Sequence, residues 1–184
     1  MTYKLILMSG PCGCGKTTLS RLLAENPAAE RTVHMHTDDF YHYIKKGYIP
    51  PWETASKDQN EAVIRAASAC AGQYALGGYE VYVDGVVGPW FLEPWRELAR
   101  QGVDLRYIIL RPSQETAVKR ALSREQNQEF PLTGETVRAM WRDFAALGPY
   151  EAHAVNTEGQ SPAESARALR SRLDQGGFRL EGAS

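Results

Sequence analysis

The 184-residue chain predicts a three-layer α/β domain, a parallel sheet with helices on both faces. Three observations carry this expectation. Short apolar runs alternate with helical stretches along the chain. The first run, Tyr3 to Met8, is apolar almost throughout, as a strand covered on both faces must be. That run ends in a glycine-rich loop which opens directly into a helix.

The elements follow in order. Thr17 to Ala24 has helical spacing, with Leu19, Leu22 and Leu23 on one side and Pro27 closing it. Thr32–His36 predicts the second strand, ending at Asp38-Asp39. Residues 47–58 are loop-like, with Pro50-Pro51 inside them. Gln59 to Leu76 is an alanine-rich helix stopped by Gly77-Gly78. Glu80–Val83 is the third strand, Leu92 to Gln101 a helix and Leu105–Leu110 the fourth strand. Ser113 caps a helix running to Gln126, and Thr133 leads into another over Glu135 to Ala146. His153 to Thr157 is a weak fifth strand, and Pro162 to Leu173 the last helix. One domain over residues 1–174 is expected, followed by a flexible glycine-rich tail over 175–184.

Composition narrows the function classes. A formal net charge of −1 argues against a nucleic-acid binder that uses its whole surface. No apolar run approaches the roughly 20 residues of a membrane span, and the start lacks a signal-peptide pattern. Cys12, Cys14 and Cys70 make no disulfide framework, so a reducing, cytoplasmic location is expected.

The strongest signal is Gly10-x-x-x-x-Gly15-Lys16-Thr17, the P-loop spacing, in its proper place between strand and helix. Gly10, Pro11, Cys12, Gly13, Cys14 and Gly15 supply backbone N–H groups that wrap a phosphate chain. The following helix adds its N-terminal partial charge. Lys16 reaches the β/γ-phosphates, Thr17 bears on Mg²⁺ and Thr18 touches the α-phosphate. Cys12 and Cys14 read as small residues that fit a tight loop, because no further Cys or His pair at ligand spacing accompanies them.

The remainder separates the P-loop classes. None of the Asn residues is followed by Lys, so the guanine-reading Asn-Lys-x-Asp of a GTPase is missing. The strand ending in Asp84 carries no adjacent Glu of the kind a motor ATPase uses to activate water. A small-molecule kinase needs neither part, but it needs a base near the γ-phosphate. "HTDDFY" offers Asp38 as that base and Asp39 as an alternative or a Mg²⁺ contact; the plain reading is that one of them caps a helix. Asp84 fits the carboxylate that holds Mg²⁺.

Transferring phosphoryl groups also need cations. Arg120 and Arg124 share a helix face just before a polar stretch, residues 125–134, that suits a lid. Arg138 and Arg142 repeat the spacing, with ion pairing to glutamate as their plain reading. Phe40, Tyr43, Tyr48, Trp52 and Trp90 are expected to line an acceptor pocket, against the plain reading of core packing.

"GPCGCGKTT", "HTDDFY", "VYVDGVVGPW" and "LRPSQETAVKRALSR" together resemble the nucleoside/nucleotide-kinase-like P-loop proteins. More narrowly they resemble the AAA_33-type group, which includes chloramphenicol phosphotransferase and, more distantly, zeta toxins and polynucleotide kinase domains. The resemblance covers roughly residues 3–173. It implies strand order 2-3-1-4-5, a cap over residues 40–60, a lid near 124–134, Asp38 as base and adenine near the Arg120 helix and residues 157–161. The aromatic "YHYIKKGYIPPWE" departs from the antibiotic-modifying members, so their acceptor does not carry over.

The expectation is an ATP- and Mg²⁺-dependent kinase of a small hydroxyl-bearing molecule, monomeric or homodimeric, with no membrane or nucleic-acid partner. Its rivals are a polynucleotide 5′-hydroxyl kinase, which needs a basic groove, and a nucleotide-binding regulator without turnover.

Overall fold

A computed structural model describes residues 3–25, 29–123 and 131–181. The strands are β1 (Tyr3–Ser9), β2 (Thr32–His36), β3 (Glu80–Asp84), β4 (Val103–Leu110) and β5 (Ala154–Val155). They form one parallel sheet in the order β2-β3-β1-β4-β5. The helices are α1 (Lys16–Ala24), α2 (Thr37–Tyr41), α3 (Lys57–Leu76), α4 (Glu93–Arg100), α5 (Gln114–Leu122), α6 (Gly134–Asp143) and α7 (Pro162–Asp174).

Strand alternation sends side chains to two separate cores. Leu5, Leu7, Val81, Val83 and Leu105 pack under α3 and α4, against Ile64, Ala67, Ala71, Trp95 and Leu98. Ile6, Met8, Tyr82, Ile108 and Leu110 pack under α1 and α7, against Leu19, Leu23, Leu169 and Leu173. All ten of these strand side chains are 0–1% exposed, and each such burial stabilises the fold by about 1.5–3 kcal/mol. Small residues on α3 let the helices close up. A Cβ added at Gly72 would meet Leu98 Cδ2 at 2.5 Å.

Two boundaries differ from expectation. β5 shrinks to two residues, because a 3-10 turn over Gly148–His153 occupies its approach. The tail is not free over its described part. Phe178 and Leu180 are buried, the Tyr107 N–H donates to Phe178 O at 2.8 Å, and the Leu180 N–H donates to Leu105 O at 2.9 Å. The apolar pair Phe178 and Leu180 thus covers the stretch of β4 edge that short β5 leaves unpaired. Among the described residues, no helix is long and apolar enough to cross a membrane.

Candidate active site

Elementary sterics shape the phosphate loop. Gly10, Gly13 and Gly15 have φ of 135°, 79° and 98°, in the region that favours glycine. A Cβ at Gly10 would lie 2.2 Å from Leu110 O, and one at Gly13 would lie 2.1 Å from Ala117 O. The loop is therefore pressed against the end of β4 and the middle of α5. α1 opens at Lys16 with no acidic residue in its first turn, so its N–H end keeps its partial positive charge. Lys16 Nζ donates to Gly10 O and Pro11 O, both at 3.0 Å. Burial disfavours the Lys16 ammonium, but Cys14, Cys12, Asp38 and Asp84 outweigh it, and its pKa rises.

Asp84, the last residue of β3, is 4% exposed and fully engaged. Thr17 Oγ1 donates to Oδ1 at 2.8 Å. His34 Nε2 lies 2.7 Å and His36 Nδ1 3.0 Å from Oδ2. Burial pushes the carboxyl upward, yet the hydrogen bonds from His34, Thr17 and His36 prevail and hold it below its usual range. Oxygen donors on Thr17 and Asp84 side by side are a donor set that fits Mg²⁺.

Asp38 arrives from the neighbouring strand. α2 begins at Thr37 directly after β2, so Asp38 and Asp39 stand in its first turn and neither is its cap. Thr37 lies against Gly85 so closely that a Cβ there would fall 1.8 Å from Thr37 Oγ1. This contact draws the start of α2 onto the end of β3. No hydrogen bond reaches the Asp38 carboxylate from the described residues. Its side chain is exposed to the open cleft. Crowding by the cleft walls nevertheless raises its pKa, opposed chiefly by Lys16 and then His36, with Asp84 and Asp39 adding to the rise.

These groups open on one cleft of about 1080 Å³, lined by Cys12, Gly13, Lys16, Thr17, Asp38 and Asp84 at its phosphate end. Tyr48, Trp52 and Trp90 line the rest as expected. Trp90 lies over Gly88 and 5.6 Å from the buried Phe144 ring, which fixes its plane. Thr133 and Leu132, at the end of the expected lid, also line it.

Other expected residues stand elsewhere. Phe40 packs against the α3 core, and Tyr43, 71% exposed, meets Phe40 edge-to-face outside the cleft. The short helix α2 turns Phe40 away from the strand ends, and Tyr43 follows two residues beyond its last residue. Asp39 is exposed, as Asp38 is, but unlike Asp38 it lies outside the cleft lining, which argues against a metal contact. Arg120 points to solvent, and its neighbour Ala121 faces the cleft instead. Arg124 lies outside the described residues. Arg138 and Arg142 reach Glu135 at 4.0 and 2.7 Å, the ion pairs of their plain reading. Gly10, Pro11, Cys14 and Gly15 shape the loop and Thr18 sits in the first turn of α1, none of them lining the cleft. Cys14 is buried in the α1 core, which suits the reading of a small residue in a tight loop.

Sequence reasoning named Tyr41 among the candidate pocket aromatics but missed Asn60 and the two histidines. Tyr41 Oη donates to Asn60 Oδ1 at 2.9 Å, and Asn60 Nδ2 donates to Pro51 O at 2.9 Å, tying α2, the loop and α3 together. The His-x-His alternation on one strand face was the signal for His34 and His36.

A family model described as an AAA domain, AAA_33, matches residues 5–147. A sugar kinase from Janibacter sp. HTCC2649 superposes with a TM-score of 0.67 at 18% identity, covering 95% of each chain. The tunicamycin resistance protein of Deinococcus radiodurans gives 0.68 at 13%, covering 92% of this chain and 95% of that one. A chain of the Pnkp1/Rnl/Hen1 RNA repair complex gives 0.59 at 19%, covering 76% of this chain. The present chain spans only 43% of that relative. No curated protein matches. At these identities the likeness establishes the fold that the strand order already displays.

Proposed function

Because the chain belongs to the AAA_33 family, we propose that it is an ATP-dependent phosphotransferase acting on a hydroxyl of a small molecule. One observation carries the reading: Asp38, a carboxylate with no hydrogen-bond donor among the described residues, shares a cleft with the phosphate loop, Lys16 and the Thr17–Asp84 pair. A nucleotide binder without turnover needs no such carboxylate.

In this reading the loop N–H groups and the α1 end hold the triphosphate, and Lys16 exchanges its loop carbonyls for β/γ oxygens. Asp38 accepts the acceptor's proton as its oxygen attacks, helped by the raised pKa. Thr17 and Asp84 would hold Mg²⁺, which supplies charge neutralisation on the phosphates.

The lining also constrains the acceptor. Beyond the phosphate end its charged described residues are Glu53, Lys57, Glu135 and Asp143, an acid excess with no arginine. Such walls suit a neutral or amine-bearing alcohol with a flat apolar part, which Trp52 and Trp90 can cover. They disfavour a polyanionic strand, and so the polynucleotide alternative.

The test is ADP release across alcohols of differing charge, with Lys16→Ala and Asp38→Asn as controls. Acceptor-stimulated turnover that disappears in both variants supports the reading. Turnover untouched by Asp38→Asn removes the base, and ATP binding without any acceptor-dependent turnover removes the kinase.

A further inference from the structure

His34, His36 and Asp84 form a donor set of which the proposed phosphoryl transfer uses only the shared aspartate. On β2, at the sheet edge, Val33 and Met35 pack against the α3 core. Alternation therefore turns His34 and His36 to the opposite face, the α1 side. The parallel register sets His36 opposite Asp84 and His34 opposite Tyr82. One ring nitrogen of each histidine and a carboxylate oxygen consequently lie within 4.8 Å of one another.

Two donors on a tetrahedral ion with bonds of about 2.0–2.1 Å stand about 3.3 Å apart. Here the nitrogens are 2.7 and 3.0 Å from Asp84 Oδ2, so these two sides must lengthen by about 0.6 and about 0.3 Å to seat an ion. The ring centroids are 4.4 Å apart in a T arrangement, which aims both rings at that one oxygen. The carboxylate is buried, while the histidines are 18% and 33% exposed, leaving a solvent side for a further ligand. Asp84 thus divides its oxygens, Oδ1 to Thr17 and Oδ2 to the histidines.

We propose that His34 Nε2, His36 Nδ1 and Asp84 Oδ2 bind a first-row transition-metal dication of the Zn²⁺ type, beside and separate from the Mg²⁺ position at Thr17. Two imidazoles and one carboxylate match that class of ion. Mg²⁺ prefers an all-oxygen shell and sheds water reluctantly, so it does not compete for these nitrogens.

The test is titration of Co²⁺ into the full chain, metal-free, in excess Mg²⁺ and without nucleotide, followed by visible absorption, then displacement by Zn²⁺ in a calorimeter. One equivalent with the d–d bands of nitrogen and oxygen ligands is expected. Affinity should drop at least about tenfold in His34→Ala and in His36→Ala, with circular dichroism checking that both fold. Should either variant fail to fold, Cu²⁺ electron paramagnetic resonance on the unsubstituted chain decides, with splitting from two nitrogens expected. Absence of one-to-one binding overturns the proposal, as does a thiolate charge-transfer band, which would assign the ion to Cys12 or Cys14. None of these readouts involves phosphoryl transfer, so this site and the kinase reading fail independently.

Discussion

Asp84 and Asp38 face the same cleft from neighbouring strand ends, yet their surroundings treat them oppositely. Asp84 is buried, accepts from Thr17, His34 and His36, and has its pKa lowered. Asp38 has no hydrogen-bond donor among the described residues and has its pKa raised. A carboxylate saturated with donors is a fixed charge, suited to holding a cation. One that meets solvent rather than protein donors is free to take up a proton. Paired carboxyls whose pKa values are pushed apart mark a division of labour.

Asp38→Asn is the strongest way to break this contrast. It should lower kcat by about 10²- to 10⁴-fold while nucleotide affinity, measured by calorimetry, stays unchanged. Equal losses in both would make Asp38 a binding group like Asp84.

Gly85→Ala tests the contact that brings the two together. A Cβ 1.8 Å from Thr37 Oγ1 must push α2 away, at a cost of about 1–3 kcal/mol. Denaturant unfolding checks that loss, and kcat should fall as Asp38 moves off the phosphate end.

Asp84→Asn should destabilise the fold by about 1–3 kcal/mol at neutral pH, because two imidazole donors lose their carboxylate. Its lowered pKa sets the sign: the ionised form stabilises above the ordinary value of 3.8, and that contribution disappears as pH falls through the lowered value. The Tm gap between the wild-type chain and Asp84→Asn should therefore close in acid.

The smallest effect has the opposite sign. Asp38's raised pKa means that its ionised form opposes folding above that raised value and ceases to do so below 3.8. Asp38→Asn should gain a little Tm at neutral pH and lose the gain in acid. A Tm loss at neutral pH would mean that Asp38 is held by interactions like those of Asp84.

Local chemistry made much of this readable in advance. The P-loop, the strand alternation and the carboxylates at the strand ends depend on spacing within one element, and they stand where spacing puts them. Side-chain direction depends on the helix that follows a strand, so Phe40 and Tyr43 were misread. Both follow Asp38 closely in sequence, yet the turn of α2 faces them away from it. His34 and His36 went unassigned because their partner Asp84 lies about fifty residues away, and only the β2–β3 register brings it near. The tail was misread for a similar reason, since its docking strip exists only where β5 is short.

The glycine contacts also set an order of events on the ribosome. Gly10 and Gly13 take their shape against Leu110 and Ala117, about a hundred residues downstream. Synthesis at roughly 5–20 residues per second separates the two halves of that contact by roughly 5–20 s. During that interval the nascent chain carries every residue of the phosphate motif but no rigid cradle. On the proposed function, nucleotide capture therefore waits until β4 and α5 have left the exit tunnel and packed, which happens before α6, β5 and α7 emerge.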